Sequence, residues 1–297
     1  MTTPTNSLSA KDTAVLMEPY FQLLGSNLSH IAPERADELT NDVFGGALWD
    51  LIAKKGAPPG RVQPFLANPE NRSIAVSYSG LAMVWCMAVF GVFLLDVVKA
   101  NRGAVEGPVN IGRAMHKLRG YLVYADKLRQ VDAPWPDDLT CPDVNSGHEV
   151  IQEINNVFLG AVAWILLHEV GHVHRQHEVE SSRSLKDEEE ADEFAAKWVF
   201  EKVPEGPQRE FRILAVGVAL AWLLLFAPVG GDAKHPPAYS RVMHVSSYFE
   251  PAVDSVALEV VAHLFKALFF PTEMPPTFTR PAELFDWTVS QLRKRST

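Results

Sequence analysis

Two histidines and a glutamate near the middle of the chain have the types and the spacing needed to bind a metal and to use it. His168 and His172 are four residues apart, so on an α-helix they lie one turn apart on the same face. Neutral imidazoles in that position can occupy two corners of a zinc tetrahedron. Glu169, next to the first histidine, is placed to accept a proton from water on the metal. The pattern predicts a hydrolytic centre with one Zn²⁺ ion.

A long helix is the element that must position these residues. From Glu149 onward the sequence pattern is helical up to and through the two histidines. Apolar residues recur every three or four positions, and the histidines continue the stripe that they form: Ile151, Ile154, Phe158, Ala161 and Ile165. Gly171 lies between the two predicted ligands, and its lack of a side chain allows another element to approach closely.

Two more histidines follow shortly after the predicted ligands. His174 and His177 fall on a different face of a continued helix. We expect both at the surface near the helix C-terminus, where a positive charge is favourable. They are therefore not predicted to be ligands.

The acidic segment Asp187–Phe200 offers candidates for a third ligand, on a second helix that we expect to run from Asp187 to about Val203. Its core face is defined by five apolar residues: Ala191, Phe194, Ala195, Trp198 and Val199. At 100° per residue Glu188 lies about 50° from the centre of that face, whereas Glu189 points nearly opposite. Helical phase therefore favours Glu188 as the third ligand.

Asp192 lies one helical turn beyond Glu188. From there its carboxylate could accept a hydrogen bond from a ligand histidine. A different interpretation of the same acidic cluster is a solvated first turn whose carboxylates complement the helix dipole.

These motifs resemble those of a known group of enzymes. H-E-x-x-H at 168–172 followed by E-x-x-A-D at 188–192 resembles the gluzincin zinc metallopeptidases. The segment "HPPAYSR" (His235–Arg241) is similar to the His-Pro-Pro…Arg element of the CAAX-protease and heat-shock-protease gluzincins. The chain length and the short interval between the first two motifs resemble compact bacterial phage-exclusion (Lit-like) peptidases.

The resemblance implies a role for several residues. Glu188 would be the third zinc ligand, and His235 would lie near the zinc and steady an oxyanion. Arg241 would anchor the loop or a carboxylate, and Tyr239 is a candidate oxyanion donor. The alternative for His235 is a turn residue ahead of the two prolines that follow it.

The implied activity is that of a zinc-dependent endopeptidase. It would cleave a peptide bond in an intracellular protein, with Glu169 as general base, and phage defence is one setting that the resemblance suggests. Two alternatives stay open: a membrane-associated gluzincin, and a non-catalytic scaffold that uses the same zinc ligands for folding. Structural zinc sites usually have four protein ligands and favour cysteine, so three ligands beside a spare glutamate favour catalysis.

Composition limits the partners and the compartment. The formal net charge of −9 argues against nucleic acid, because phosphate binding needs a basic surface. Cys86 and Cys141 are the only cysteines, which fits reduced thiols in a cytoplasm. The N-terminus lacks the basic and apolar regions of a signal peptide. We therefore expect a cytoplasmic protein with a protein or peptide substrate, and the oligomeric state stays open.

Two apolar stretches bear on membrane association. Leu81–Leu95 and Ile213–Val229 both fall just short of the roughly 18 to 20 apolar residues that span a bilayer. By length they are better explained as buried core helices. Association with the inner membrane through these stretches is the alternative.

The whole pattern predicts a mainly α, α+β fold of the zincin type, with an HExxH helix, a glutamate helix and a small sheet or strand. Residues 1–70 read as an irregular, partly helical N-terminal layer, and residues 71–297 as the zincin-like domain, continuous with that layer. The strand candidate is Arg72–Tyr78, which is β-branched and roughly alternating. Further helices are expected at Leu81–Lys99, Asn110–Gln130 and Phe211–Phe226, with two more towards the C-terminus.

Overall fold

Helices make up most of the chain, as the sequence predicted. The computed structural model describes residues 12–46, 49–54, 64–102, 111–178, 182–226 and 235–296. Within these ranges the helices are α1 (Thr13–Phe21), α2 (Leu24–Ile31), α3 (Ala36–Glu38), α4 (Tyr78–Arg102), α5 (Ile111–Leu128), α6 (Glu149–His174), α7 (Leu185–Phe200), α8 (Pro207–Phe226), α9 (Ala238–Ser246), α10 (Val256–Phe269) and α11 (Pro281–Ser296). The mainly helical, zincin-like fold class is therefore confirmed.

A small three-stranded sheet lies ahead of the long helices. Its strands are β1 (Asp50–Lys54), β2 (Phe65–Asn68) and β3 (Ser73–Ser77), in the order β1-β3-β2. The central strand β3 pairs parallel with β1 and antiparallel with β2, so that Ala67 lies opposite Ile74. Strand β2 therefore forms one edge of the sheet.

The prediction of a strand near Arg72–Tyr78 is confirmed by β3, whereas β1 and β2 were not predicted. The N-terminal layer is thus not only irregular and helical. Both missed strands are short, and each is ordered by pairing with β3 rather than by an alternating pattern of its own. The domain limit at residue 70 stays a prediction.

Four long helices form the centre of the core: α6 packs against α4 and α8, and α10 packs against α4 and α8. Leu81–Leu95 lies in α4 and is almost wholly buried, as expected for a core helix. The second apolar stretch begins in α8, and its residues 227–229 lie outside the described residues.

Two of the described helices are long and apolar enough to cross a membrane, by length and composition alone. They are α4 and α6, and most of each apolar window is buried inside the fold. Core helices of globular proteins pass the same test. The sequence had named Ile213–Val229 rather than α6 as the second candidate.

A buried asparagine joins three parts of the chain to α6. Asn155 accepts hydrogen bonds from the Tyr20 hydroxyl at 2.8 Å and from the Trp85 indole at 3.1 Å. Its amide donates to the backbone carbonyl of Asp143 at 2.9 Å, within the irregular segment Val131–His148. These bonds fix α1, α4 and that segment against α6, which is the helix that carries the histidines.

Helices α6 and α7 approach closely where the two predicted ligand motifs meet. A Cβ atom on Gly171 would lie 3.2 Å from the Cα atom of Ala191, so only a glycine leaves room for this approach. The start of α7 is fixed by Ser184, whose hydroxyl accepts from the Asp187 N–H while the Asp187 carboxylate accepts from the Ser184 N–H. This capping box sets the phase of the carboxylates that follow.

Candidate metal centre

The crossing of α6 and α7 brings two imidazoles and one carboxylate together. His168 and His172 lie one turn apart on α6, with their Nε2 atoms 3.1 Å from each other. On α7, the Glu188 carboxylate lies 3.5 Å from His168 Nε2 and 3.4 Å from His172 Nε2. All three residues are buried, and their nearest donor atoms lie within 4.8 Å of one another. This group could hold a metal ion.

The helical phase predicted for α7 is confirmed. Glu188 is only 3% exposed, whereas its neighbour Glu189 is exposed. Asp192, one turn further, is also buried. The inward face of α7 therefore carries two carboxylates, and neither belongs to a solvated first turn.

A buried ion pair supports His168 from behind. The Asp192 carboxylate lies 2.9 Å from His168 Nδ1. The Arg241 guanidinium donates to both oxygens of Asp192, at 2.6 and 2.7 Å. Such two-point contacts fix orientation as well as charge. The predicted positions of Asp192 and Arg241, beside the histidines and beside a carboxylate, are thus found in the structure.

Burial and neighbouring charges shift the pKa of each member of this group. Burial disfavours a charged His168, but hydrogen bonds with Asp192 and Glu188 outweigh it and raise the pKa to about 9. For His172, burial and then the neighbouring His168 lower the pKa. Burial would raise the pKa of both carboxylates, yet the hydrogen bond with His168 lowers that of Glu188, and Arg241 lowers that of Asp192. Both carboxylates are therefore stabilised in their ionised form. They favour a positive charge beside them, which can be a protonated His168 or a metal ion.

Glu169 lies beside the first histidine and contacts the sheet. Its carboxylate accepts a hydrogen bond of 2.7 Å from the backbone N–H of Ala67, in the edge strand β2. The carbonyl of the same alanine accepts a bond of 3.0 Å from the buried Arg183 guanidinium. Arg183 also lies 4.0 Å from Glu188. Through these contacts β2 is attached to both helices of the centre.

His177 is placed differently from the prediction, whereas His174 is exposed as expected. The prediction of a surface position for His177 is wrong, because its side chain is buried and lies 2.9 Å from His172, measured between the two Nδ1 atoms. The physical reason is that α6 ends at His174 and Gln176 adopts a left-handed conformation (φ 57°). The chain then turns back, so helical phase no longer gives the direction of residue 177.

Two residues of the predicted site lie around the start of α9. His235 is half-buried, shortly before Pro237 at the start of that helix. Tyr239 is half-buried and packs against the hydrophobic core. Their roles as oxyanion donors stay predictions.

Three residues of the centre are not predicted by the sequence pattern: Ala67, Arg183 and His177. Ala67 takes part through its backbone, which has no sequence signal. Arg183 lies in the loop between the two helices and has no periodic pattern around it. For His177, no glycine marks the left-handed position that reverses the chain.

Comparison with known proteins identifies the class of this chain. Residues 74–261 match the family model described as peptidase U49, a range that contains both ligand motifs. The chain is therefore a peptidase, a hydrolase whose substrates are proteins or peptides.

It belongs to the peptidase U49 family. A protein named cell death peptidase, from Escherichia coli (strain K12), is 28% identical to it over 261 residues, which cover 82% of this chain and 87% of that protein. No solved structure matches the chain. The predicted membership of a Lit-like metallopeptidase family is confirmed.

Proposed function

We propose that this peptidase is a zinc-dependent endopeptidase in which His168, His172 and Glu188 hold one zinc ion. One observation carries the proposal. The two Nε2 atoms lie 3.1 Å apart, one oxygen of Glu188 lies 3.4 Å from His172 Nε2, and its other oxygen lies 3.5 Å from His168 Nε2. A tetrahedral zinc centre with bonds of about 2.0 to 2.1 Å has edges of about 3.3 to 3.4 Å. The separation of the two nitrogens and the approach of the Glu188 carboxylate to both rings are close to these edges, and one donor atom from each residue lies within 4.8 Å of the others.

A zinc ion bound there supplies Lewis acidity and lowers the pKa of water toward about 7. The residues of the chain orient the water and transfer its proton. Glu169 is buried next to His168, and the Ala67 N–H fixes the direction of its carboxylate. From this position Glu169 serves as the general base that removes a proton from the attacking water. It then returns the proton to the leaving amine.

The ligand set favours a catalytic centre over a structural one. Structural zinc sites usually have four protein ligands, and the group found among the described residues has three. The carboxylate of Glu169 is held by the sheet instead of joining that group. Three ligands with a separate carboxylate beside them support a hydrolytic centre rather than a purely structural one.

The proposal extends to substrate and setting. We place the enzyme in the cytoplasm and take the substrate to be an intracellular protein. The two described helices that are long and apolar enough to cross a membrane are mostly buried within the fold, which supports a core role for them. The similar Escherichia coli protein is named a cell death peptidase. Together with the resemblance to phage-exclusion peptidases, this name supports a role in a cell-death response such as phage defence.

Substitution of Glu169 tests the general base. The Glu169→Gln variant should keep stoichiometric zinc but lose proteolysis by about 10²- to 10⁴-fold, because an amide cannot accept the proton. Zinc content is measured by atomic absorption. Activity is measured by mapping new protein termini in bacterial cells that express either wild type or the variant. Full activity in the variant would refute the proposed base.

Substitution of Glu188 tests the third ligand, and its exposed neighbour provides a matched control. Glu188→Gln should weaken zinc binding strongly, whereas Glu189→Gln should leave it unchanged. Zinc affinity is measured by competition with a chromogenic chelator. The reverse order would refute the ligand assignment.

A further inference from the structure

A second histidine lies behind the ligand His172. The side chain of His177 is 5% exposed, and its Nδ1 atom lies 2.9 Å from His172 Nδ1. On the other side of the ring, His177 Nε2 lies 3.3 Å from the Glu190 carboxylate. The backbone N–H of His177 also donates to the His172 carbonyl at 3.0 Å. Two hydrogen bonds therefore connect the two histidines, one through the backbone and one through the rings.

One proton lies between the two Nδ1 atoms, and metal binding by His172 would determine which of the two nitrogens is protonated. His172 faces His168 and Glu188 with Nε2, so a metal there needs the lone pair on that nitrogen. A neutral imidazole that binds a metal through Nε2 carries its proton on Nδ1. His172 Nδ1 must then be the donor, and His177 Nδ1 must be the acceptor.

Glu190 provides the partner that this arrangement needs. If His177 accepts through Nδ1, its proton lies on Nε2, which faces a carboxylate oxygen of Glu190. The other oxygen of Glu190 lies 3.1 Å from the ammonium of Lys186, and the Arg175 guanidinium lies 3.9 Å from the oxygen that faces His177. These cations keep Glu190 ionised and therefore able to accept.

We propose that His177, oriented by Glu190, is a positioning residue for the zinc ligand His172. This inference rests on the proposed function, since it assigns His177 a task only if His172 binds the metal. His177 fixes the tautomer and the ring direction of His172 without touching the metal or the substrate. Partners of this kind typically change metal affinity by about 10- to 100-fold when they are removed.

Metal affinity of the full chain tests the proposal without relying on activity. His177→Phe keeps an aromatic ring but removes the acceptor, so zinc affinity should fall by about 10- to 100-fold. His177→Asn can place an amide oxygen near the position of Nδ1 and should restore most of the affinity. The control is His174→Phe, which changes an exposed histidine nearby and should leave the affinity unchanged.

The absorption spectrum of the cobalt-substituted chain adds a readout of ligand geometry. It should change in His177→Phe and return towards wild type in His177→Asn. Because a phenyl ring at this buried position could prevent folding, Glu190→Ala provides a second test at a half-buried side chain. It should lower zinc affinity several-fold, whereas Glu189→Ala, at the exposed neighbour, should not.

Two results separate this inference from the function on which it rests. If wild type binds zinc through Glu188 but His177→Phe and Glu190→Ala bind it as tightly, the positioning role is overturned and the proposed enzyme stands. If wild type binds neither zinc nor cobalt, the proposed function is overturned and the role of His177 falls with it.

Discussion

The two proposed ligand histidines lie one turn apart on the same helix, yet the chain supports them by different means. Behind His168 lies a charged support, formed by Asp192 and Arg241, in which both side chains are buried. Behind His172 lies a solvent-facing support, formed by the buried His177 and a half-buried Glu190. Both supports end on α7 or contact it, so one helix pair sets the direction of both rings.

The difference shows where stability and chemistry are coupled. A buried carboxylate is tolerated only with a partner, because an uncompensated charge in the interior is costly. The support of His168 should therefore matter to the fold even when no metal is bound. The support of His172 ends in a carboxylate near solvent, so its loss should affect the proposed metal ligand more than the fold.

The largest expected effect comes from breaking the charged support. Arg241→Met leaves the buried Asp192 without its guanidinium partner, which should lower the free energy of unfolding of the metal-free chain by about 3 to 5 kcal/mol. Urea denaturation monitored by circular dichroism measures this change. Arg241→Lys should recover part of the loss, because a lysine keeps the charge but not the two-point contact. Equal midpoints for wild type and Arg241→Met would show that the support is not needed for the fold.

A smaller effect is expected from moving both supports at once. In Gly171→Ala the new methyl group would lie 3.2 Å from the Ala191 Cα atom and 3.2 Å from Phe194 Cβ, so α7 must shift away from α6. Overpacking costs about 1 to 3 kcal/mol and the better helix propensity of alanine offsets about 1 kcal/mol of it, so we expect a net loss of up to about 2 kcal/mol in the free energy of unfolding together with weaker zinc binding. Gly25→Ala is the control, because its methyl group would meet no atom within 4 Å. An unchanged zinc affinity in Gly171→Ala would mean that the centre tolerates a wider helix spacing.

The smallest effect should come from the outer end of the solvent-facing support. Lys186 contacts Glu190, but its side chain is 80% exposed, and exposed ion pairs contribute little. In Lys186→Met we therefore expect zinc affinity to change by about twofold or less, as measured by chelator competition. A loss as large as that of His177→Phe would indicate that the position of Glu190 depends on this lysine, and both supports would then depend on an ion pair.

The sequence was sufficient for the parts of the centre that obey helical periodicity. His168 and His172 follow from their spacing of four, and Glu188 follows from the phase of an amphipathic helix with a clear apolar face. Asp192 follows from the same phase. The long helices α4 and α6 also follow from uninterrupted patterns, although their ends differ by a few residues from the predicted ones.

The remaining parts depend on contacts that no local pattern encodes. Strands β1 and β2 are ordered by pairing with β3, and Ala67 contributes only its backbone. His177 was assigned to the surface because helical geometry was extended beyond His174, where the chain in fact reverses at Gln176. Periodicity ends where the helix ends, and the side chains that follow take their direction from tertiary packing.

The central position of α6 limits how this enzyme can change its preferences over evolutionary time. The helix that carries the histidines is buried along most of its length and packs against α2, α4, α7, α8 and β2. A substitution on α6 can therefore disturb the packing of the core and the position of the proposed catalytic groups at the same time. Adaptation to a new target protein is therefore easier in the loops and in the outer helices than in the motif helix itself.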